Sequence, residues 1–391
     1  MLSYGFHHSL AIVEWVRAAD AGGMTSPDSP DATRSRIARP QLGIAAARAQ
    51  FPGGRGYLAA CTLGLPTAGT VAALRADLDA WASGSASAAG YAAVVERVRA
   101  AYARLVAVPV NRVAIGSQAS VLAGLVAASV PDGAEVLCVD GDFSSMVFPF
   151  LNQAHRGVTV RHVPLAHLAE SITGNTWLVS WSLVQSATGA VAETTTIIAA
   201  AHRHGAFTLC DTTQAAGWMP VDASVFDATI CHAYKWLCAP RGVAFLTVAE
   251  RFGAVVRPAH AGWYAGQDVW GSCYGPGMRL AADARRFDVS PAWTAWVGAE
   301  PALEFFGTLD LDEVRRYDVG LADAFRAGLG VDPAEQAGQA VVTWADAAGT
   351  DLARLTAAGL TASGRAGRAR VAFHLWNDAD DVQDALRALG H

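Results

Sequence analysis

Position 235 carries the only lysine in 391 residues, so chemistry that needs a side-chain primary amine has a single address. It stands in Cys231-His232-Ala233-Tyr234-Lys235-Trp236, at the end of an apolar run. Burial among such neighbours disfavours an ammonium and calls for compensation. Imine formation with an aldehyde removes that difficulty and makes the lysine both covalent anchor and proton carrier. Upstream, Cys210-Asp211-Thr212-Thr213-Gln214 follows another apolar run. An aspartate there can pair with a protonated pyridine nitrogen and keep the ring an electron sink, with Gln214 within reach of a ring hydroxyl.

Two further segments fit the same ligand. In Ile115-Gly116-Ser117-Gln118-Ala119-Ser120 a strand leads into a helix, and free amides beside Ser117 and Gln118 suit a phosphate monoester. In Asp140-Gly141-Asp142-Phe143, the Phe143 ring is suited to lie flat on a pyridine. Taken singly, each has a plainer explanation: a turn or cap aspartate, a snorkelling lysine, a capping serine, a core phenylalanine. What unites them is location, because open α/β sheets bind ligands just beyond the carboxyl ends of their strands. Together they describe a site for pyridoxal 5'-phosphate (PLP).

The elements that must carry these residues are visible as short β-branched or apolar runs alternating with Ala-rich helical stretches. The runs at 112–115, 136–140, 158–163, 177–184, 207–211, 228–232 and 243–248 make a seven-stranded, mainly parallel sheet. Helical patterns at 119–128 and 194–204 cover its faces. From about 300 the pattern changes to helix at 302–306 and 311–327, strand at 370–375 and helix at 380–389, a small α+β terminal domain. The expected organisation is a mobile tail over 1–40, a large PLP-binding domain over 41–295 and a small domain over 296–391. The N-terminal part of the large-domain segment is expected to contribute to the small domain. The polar, proline-broken stretch after Met24 marks the tail, and Met24 itself could be the start.

Composition narrows the function class. A chain with 52% hydrophobic residues buries a large core, and a net charge of -6 offers no basic surface for nucleic acid. The six cysteines lie in apolar runs without zinc-type pairs, which predicts reduced thiols, no metal and a cytoplasmic setting. No apolar stretch is long enough to span a membrane, and no secretory signal is legible. A Gly-rich dinucleotide turn is also missing, which argues against a nicotinamide dehydrogenase.

In order and spacing these residues resemble the class V aminotransferase superfamily, PLP fold type I, and most closely its kynureninase-like and cysteine desulfurase-like branch. Asp211, Gln214, Val221-Asp222, Lys235 and the turn Ala239-Pro240-Arg241-Gly242 carry the resemblance, which runs from about Gly56 to the C-terminus. It implies a PLP enzyme with Lys235 as Schiff-base lysine and Asp211 opposite the ring nitrogen. Tyr234 directly before the lysine is the kynureninase-type choice and binds cofactor phosphate; His232 falls where relatives carry a phosphate-side Ser. Gln185 takes the place of an Asn that contacts the ring hydroxyl. Trp263, followed by the segment containing Ser290, is similar to the part that completes the phosphate site across a homodimer interface. Cys61-Thr62 stands in the loop near the substrate, where kynureninases have Asn-Ser. Arg370, among Arg365, Arg368 and Arg370, is similar to the arginine that clamps the substrate α-carboxylate, a task suited to a guanidinium.

The resemblance implies reaction at the Cα or Cβ of a small amino-acid substrate, possible as β-elimination, side-chain cleavage or amino-group transfer. Persulfide transfer is disfavoured because no cysteine follows Cys273. The missing Asn-Ser argues against a true kynureninase. A lyase-type reaction stands slightly ahead of transamination on the strength of Tyr234-Lys235. A silent binding protein is disfavoured because Asp211, Lys235 and Arg370 are all present.

Overall fold

The computed structural model describes residues 41–331 and 337–391, so the expected tail over 1–40 lies outside the described residues. The seven runs form one sheet. Its strands are β1 (Val113–Gly116), β2 (Glu135–Val139), β3 (Thr159–Val163), β4 (Thr176–Ser182), β5 (Phe207–Asp211), β6 (Ala228–His232) and β7 (Ala244–Val248). They are ordered β1-β7-β6-β5-β4-β2-β3. β6, β5, β4, β2 and β3 run parallel, whereas β7 is antiparallel to both its neighbours, β1 and β6.

Successive side chains of a strand point to opposite faces, and here they divide between two cores. Ile115, Val139, Trp181, Cys210, Cys231 and Phe245 face one layer. It is closed by α2 (Ala88–Leu105), α4 (Thr194–His204) and α5 (Trp293–Phe306), and α1 (Ala68–Ala82) packs on α5. Ala114, Cys138, Leu178, Leu209, Ile230 and Leu246 face the other, against α3 (Ala119–Ala127). Because both faces are covered, the strands read as continuous apolar runs rather than alternating ones.

The C-terminal part builds a second, three-stranded sheet in the order β8-β10-β9 from β8 (Val341–Ala345), β9 (Ser363–Arg365) and β10 (Arg368–Ala372). Around it pack α6 (Leu311–Leu329), α7 (Thr350–Ala357) and α8 (Ala379–Leu389), with Leu321, Phe325, Leu355, Val371, Phe373 and Val382 in the core. Leu58 joins this core, and Tyr57 and Ala59 bridge to Thr361 and Ala372, so the N-terminal segment is stitched into the small sheet.

Two expectations need correction. The strand expected at 370–375 begins at Arg368 and ends at Ala372. It stops there because the Asn377 side chain accepts from the N–H of His374 at 3.0 Å while its own N–H donates back to the His374 carbonyl at 2.8 Å, closing a tight turn. The helix expected from 302 begins at Trp293, with Pro301 inside it.

Candidate active site

A cavity of about 130 Å³ opens at the carboxyl ends of β4, β5 and β6. Its lining includes Gln118, Ser120, Phe143, Ser182, Ser186, Asp211, Gln214, His232, Tyr234, Lys235 and Arg241. Five strand ends or the turns after them thus converge on one space.

Asp211 is the last residue of β5 and is buried at the cavity wall. Its Oδ1 accepts from the N–H of Thr213 at 2.8 Å. Burial pushes the carboxyl above its usual range, opposed by Thr213 and by the charge of Lys235. Lys235 is also buried, and its Nζ lies 5.3 Å from the centre of the Phe143 ring and 5.7 Å from that of Tyr234. Burial pulls its pKa down to about 8; Asp211 opposes this, and Arg370 and Arg365 reinforce it. About a tenth of the amine is therefore unprotonated at pH 7, the form that attacks a carbonyl.

The lysine's backbone is held as firmly as its side chain. The N–H of Gly64 donates to the Tyr234 carbonyl at 2.9 Å. A Cβ at Gly64 would stand 1.9 Å from the Lys235 carbonyl oxygen, so only glycine permits this approach. Gln214 bridges the cavity wall. Its Nε2 donates to the Cys61 carbonyl at 2.9 Å and to Ser186 Oγ at 3.1 Å, and its Oε1 accepts from Trp236 Nε1 at 2.8 Å.

The opposite end is shaped for an anion. Gln118, Ala119 and Ser120 place the N-terminus of α3 at the cavity, beside Ser145, Tyr234 and Arg241. The Arg241 guanidinium sits 4.8 Å from the Tyr234 ring centre. His232 packs edge-on to Tyr234 at 4.3 Å, and its buried Nε2 has no hydrogen-bond partner. Burial, reinforced by Arg241 and Lys235, lowers its pKa to about 3, so the ring is neutral.

Arg370 on β10 is not one of the lining residues, but it donates to Ser186, which is. It is almost wholly buried; Nε donates to Ser363 Oγ at 3.1 Å, Nη2 to Thr62 Oγ1 at 2.9 Å, and Nη1 to the Ser186 carbonyl. It has no carboxylate partner among the described residues. A buried guanidinium satisfied only by neutral oxygens is set for an incoming anion.

The expected residues divide accordingly. Gln118, Phe143, Asp211, Gln214, His232, Tyr234 and Lys235 line the cavity, and Thr62 and Cys61 reach it through Arg370 and Gln214. Gln185 stands behind the wall, its Nε2 donating to the Ser182 carbonyl at 3.2 Å. Ser117 does not line the cavity, Ser290 is exposed, and Trp263 packs on Tyr264 and Trp270. Ser182, Ser186 and Thr213 had no signal beyond their nearness to strand ends, and Arg241 had only its place in the turn 239–242. Asp142 did have one, as part of the Phe143 turn. It accepts from Ser182 Oγ at 2.5 Å and from the N–H of Ser182 at 2.8 Å, pinning the end of β4.

A family profile described as Aminotransferase class-V matches residues 82–345. The chain belongs to the class-V aminotransferase family. A kynureninase of Deinococcus radiodurans is 30% identical over 256 residues, 63% of this chain and 62% of that one. An isopenicillin N epimerase of Amycolatopsis lactamdurans is 33% identical over 172 residues, 39% and 43% of the two chains. The matched stretch spans less than two-thirds of either curated relative. Among solved structures, the cystine C-S lyase C-DES in complex with cysteine persulfide superposes with a TM-score of 0.79 at 21% identity, covering 87% of this chain and 99% of that one. The cysteine desulfurase CsdA of Escherichia coli gives 0.77 at 18% identity, covering 89% and 98%. These superpositions establish the shared PLP fold type I.

PLP is the cofactor of this family, and the cavity fits it on its own evidence. It joins an amine, an opposed carboxylate, an exposed aromatic face and an anion-binding end that contains an orphaned imidazole nitrogen.

Proposed function

We propose that this PLP-dependent enzyme cleaves a side-chain bond of an amino acid or amino-acid conjugate, by β-elimination or a related lyase-type reaction. Lys235 would anchor the cofactor covalently, and its Nζ would carry a proton at the substrate Cα. Asp211 keeps the pyridine nitrogen protonated, and Phe143 covers the ring. Gln118 and Ser120 at the start of α3, with Tyr234, Arg241 and His232, take the phosphate. Arg370, aided by Thr62 beside Cys61, takes the substrate α-carboxylate. Ser117 supports the phosphate end, Gln185 supports the ring edge from behind Ser182, and Trp263 and Ser290 act from a second copy in a homodimer. Bound PLP supplies an electron sink for negative charge that develops at the substrate Cα.

The observation that carries this reading is the buried, carboxylate-free Arg370 bonded to Ser186, a residue of the cavity shared by Lys235 and Asp211. It gives an amino acid two points of attachment. The choice of a lyase over amino-group transfer is supported by the tyrosine directly before the lysine and by similarity to a kynureninase. The absence of cysteine beyond Cys273 speaks against persulfide sulfur transfer.

Two measurements test it. Borohydride reduction of the yellow holoenzyme should fix PLP on the Lys235 peptide alone; a colourless protein that takes up no PLP would refute the cofactor assignment. Incubation with amino acids and cysteine conjugates should yield pyruvate, ammonia and a thiol. A reaction that needs a keto-acid acceptor would replace the lyase with transamination, and accumulation of a D-enantiomer would replace it with epimerisation.

A further inference from the structure

Asp318 and His374 are buried titratable groups that the cavity does not use. Asp318 stands on α6, and His374 in the turn that ends β10. His374 Nδ1 lies 2.8 Å from Asp318 Oδ2, and Nε2 lies 3.0 Å from the carbonyl oxygen of Trp236, the residue after Lys235. A carbonyl only accepts, so Nε2 must carry a proton. The remaining proton lies between Nδ1 and Asp318. If the carboxylate is ionised, Nδ1–H donates to it; if it is protonated, its hydroxyl donates to Nδ1. Both arrangements leave Nε2–H aimed at Trp236, so Asp318 fixes the donor. The other neutral tautomer would turn a lone pair toward the carbonyl. Burial lifts Asp318 to about 6, with the His374 contact opposing.

The ring itself is clamped. Trp236 and Trp376 meet it edge-on at 5.1 and 4.9 Å, and Phe306 lies nearly parallel at 6.0 Å. On its other side the Trp236 carbonyl is approached by Gly217 so closely that a Cβ there would come within 2.4 Å. Trp236 is therefore held at both ends, its indole by Gln214 on the cavity wall and its carbonyl by His374 from the small sheet.

We propose that Asp318 and His374 are positioning residues that fix the peptide following Lys235, and with it the direction in which the lysine amine enters the cavity. The proposal rests on Lys235 as the cofactor anchor. It makes the orientation of the lysine depend on the docking of α6 and the β10 turn against the large sheet, rather than on the lysine loop alone.

The test separates positioning from core packing by stereochemistry. The amide nitrogen of glutamine reaches the place of imidazole Nε2, whereas that of asparagine reaches only the place of Nδ1. Wild type, His374→Gln, His374→Asn, Asp318→Asn and Asp318→Leu are loaded with PLP. Each is read by its melting temperature, by the pH midpoint of the visible band of the lysine-bound cofactor, and by the rate at which hydroxylamine strips that cofactor. His374→Gln and Asp318→Asn should keep the wild-type midpoint and stripping rate. His374→Asn, which has no donor at the Nε2 place, and Asp318→Leu, which removes the partner that holds Nδ1 and so aims the ring, should shift the midpoint by about one unit and change the rate by about tenfold, the size expected for one lost or misdirected hydrogen bond. If His374→Asn does not fold, the Asp318 pair gives the same comparison. Spectra and rates that stay at wild type in every variant, or that follow melting temperature rather than the presence of a donor at Nε2, would overturn the proposal. Wild type failing to hold PLP on Lys235 would instead overturn the site assignment beneath it.

Discussion

At the scale of single residues, the decisive quantity is the cost of a proton on Lys235. Folding lowers the amine from an ordinary 10.5 to about 8, chiefly through burial. The folded chain without cofactor therefore resists the proton. The penalty is complete below pH 8, fades as pH rises from 8 to 10.5, and is absent above that. Its size is about 3 kcal/mol at most. Lys235→Met, which fills similar space without charge, should make the cofactor-free protein more stable than wild type at pH 7 by up to that amount. Denaturant titrations across the range should show the gap closing toward pH 10.5, and a gap independent of pH would mean that the buried amine is not penalised. Arg370 invites the complementary experiment. Lysine there keeps the charge but loses the fork that reaches Ser363, Ser186 and Thr62. Arg370→Lys should raise KM for the active substrate roughly ten- to hundredfold while changing kcat less. An unchanged KM would remove Arg370 from carboxylate recognition.

At the scale of elements, the site depends on how closely loops approach the lysine backbone. Gly64 leaves no space for a methyl group against the Lys235 carbonyl. Gly64→Ala must therefore push the 61–66 loop or the lysine loop aside, at a cost of about 1–3 kcal/mol. Fluorescence titration should find weaker PLP binding, and wild-type affinity would mean the two loops are not coupled. The sequence made some of these elements plain and left others obscure for physical reasons. Continuous apolar runs marked β5 and β6 at their observed bounds because both faces of the sheet are covered, and their ends delivered Asp211 and Lys235. β8 and β9 belong to a sheet whose strands interleave Thr, Ser and Arg with apolar residues, so they carried no such run. Arg370 was legible only through family resemblance. Ser182, Ser186 and Thr213 reach the cavity as common small polar residues, and a single sequence cannot tell a cavity hydroxyl from a surface one. The clamp on Trp236 was hidden for another reason: His374 is 138 positions from it in the chain, and the contact exists only once α6 and the β10 turn have packed.

At the scale of the whole molecule, Trp263 and Ser290 pose the remaining question, because neither lines the cavity of its own chain. Ser290 is exposed although the segment before it is pinned: Asp288 is buried against Arg99 at 2.7 Å and accepts from the N–H of Ile115 at 2.8 Å. The loop beyond Trp263 presents Trp270, Tyr274 and Met278 to solvent, with Tyr274 91% exposed. Exposed apolar side chains of this kind would suit the proposed twofold interface, in which each copy lends Ser290 to the phosphate end of its partner. Complementation tests this directly. Lys235→Ala removes the anchor from its own cavity, and Ser290→Asp places a repelling charge in the partner's. In a mixed dimer one cavity then carries both lesions and the other carries neither. Random reassociation of equal amounts makes about half of the dimers mixed, with one intact site in two, so about a quarter of wild-type activity should return from two inactive parents. If Ser290 acts within its own chain, each cavity of the mixed dimer carries one lesion and no activity returns.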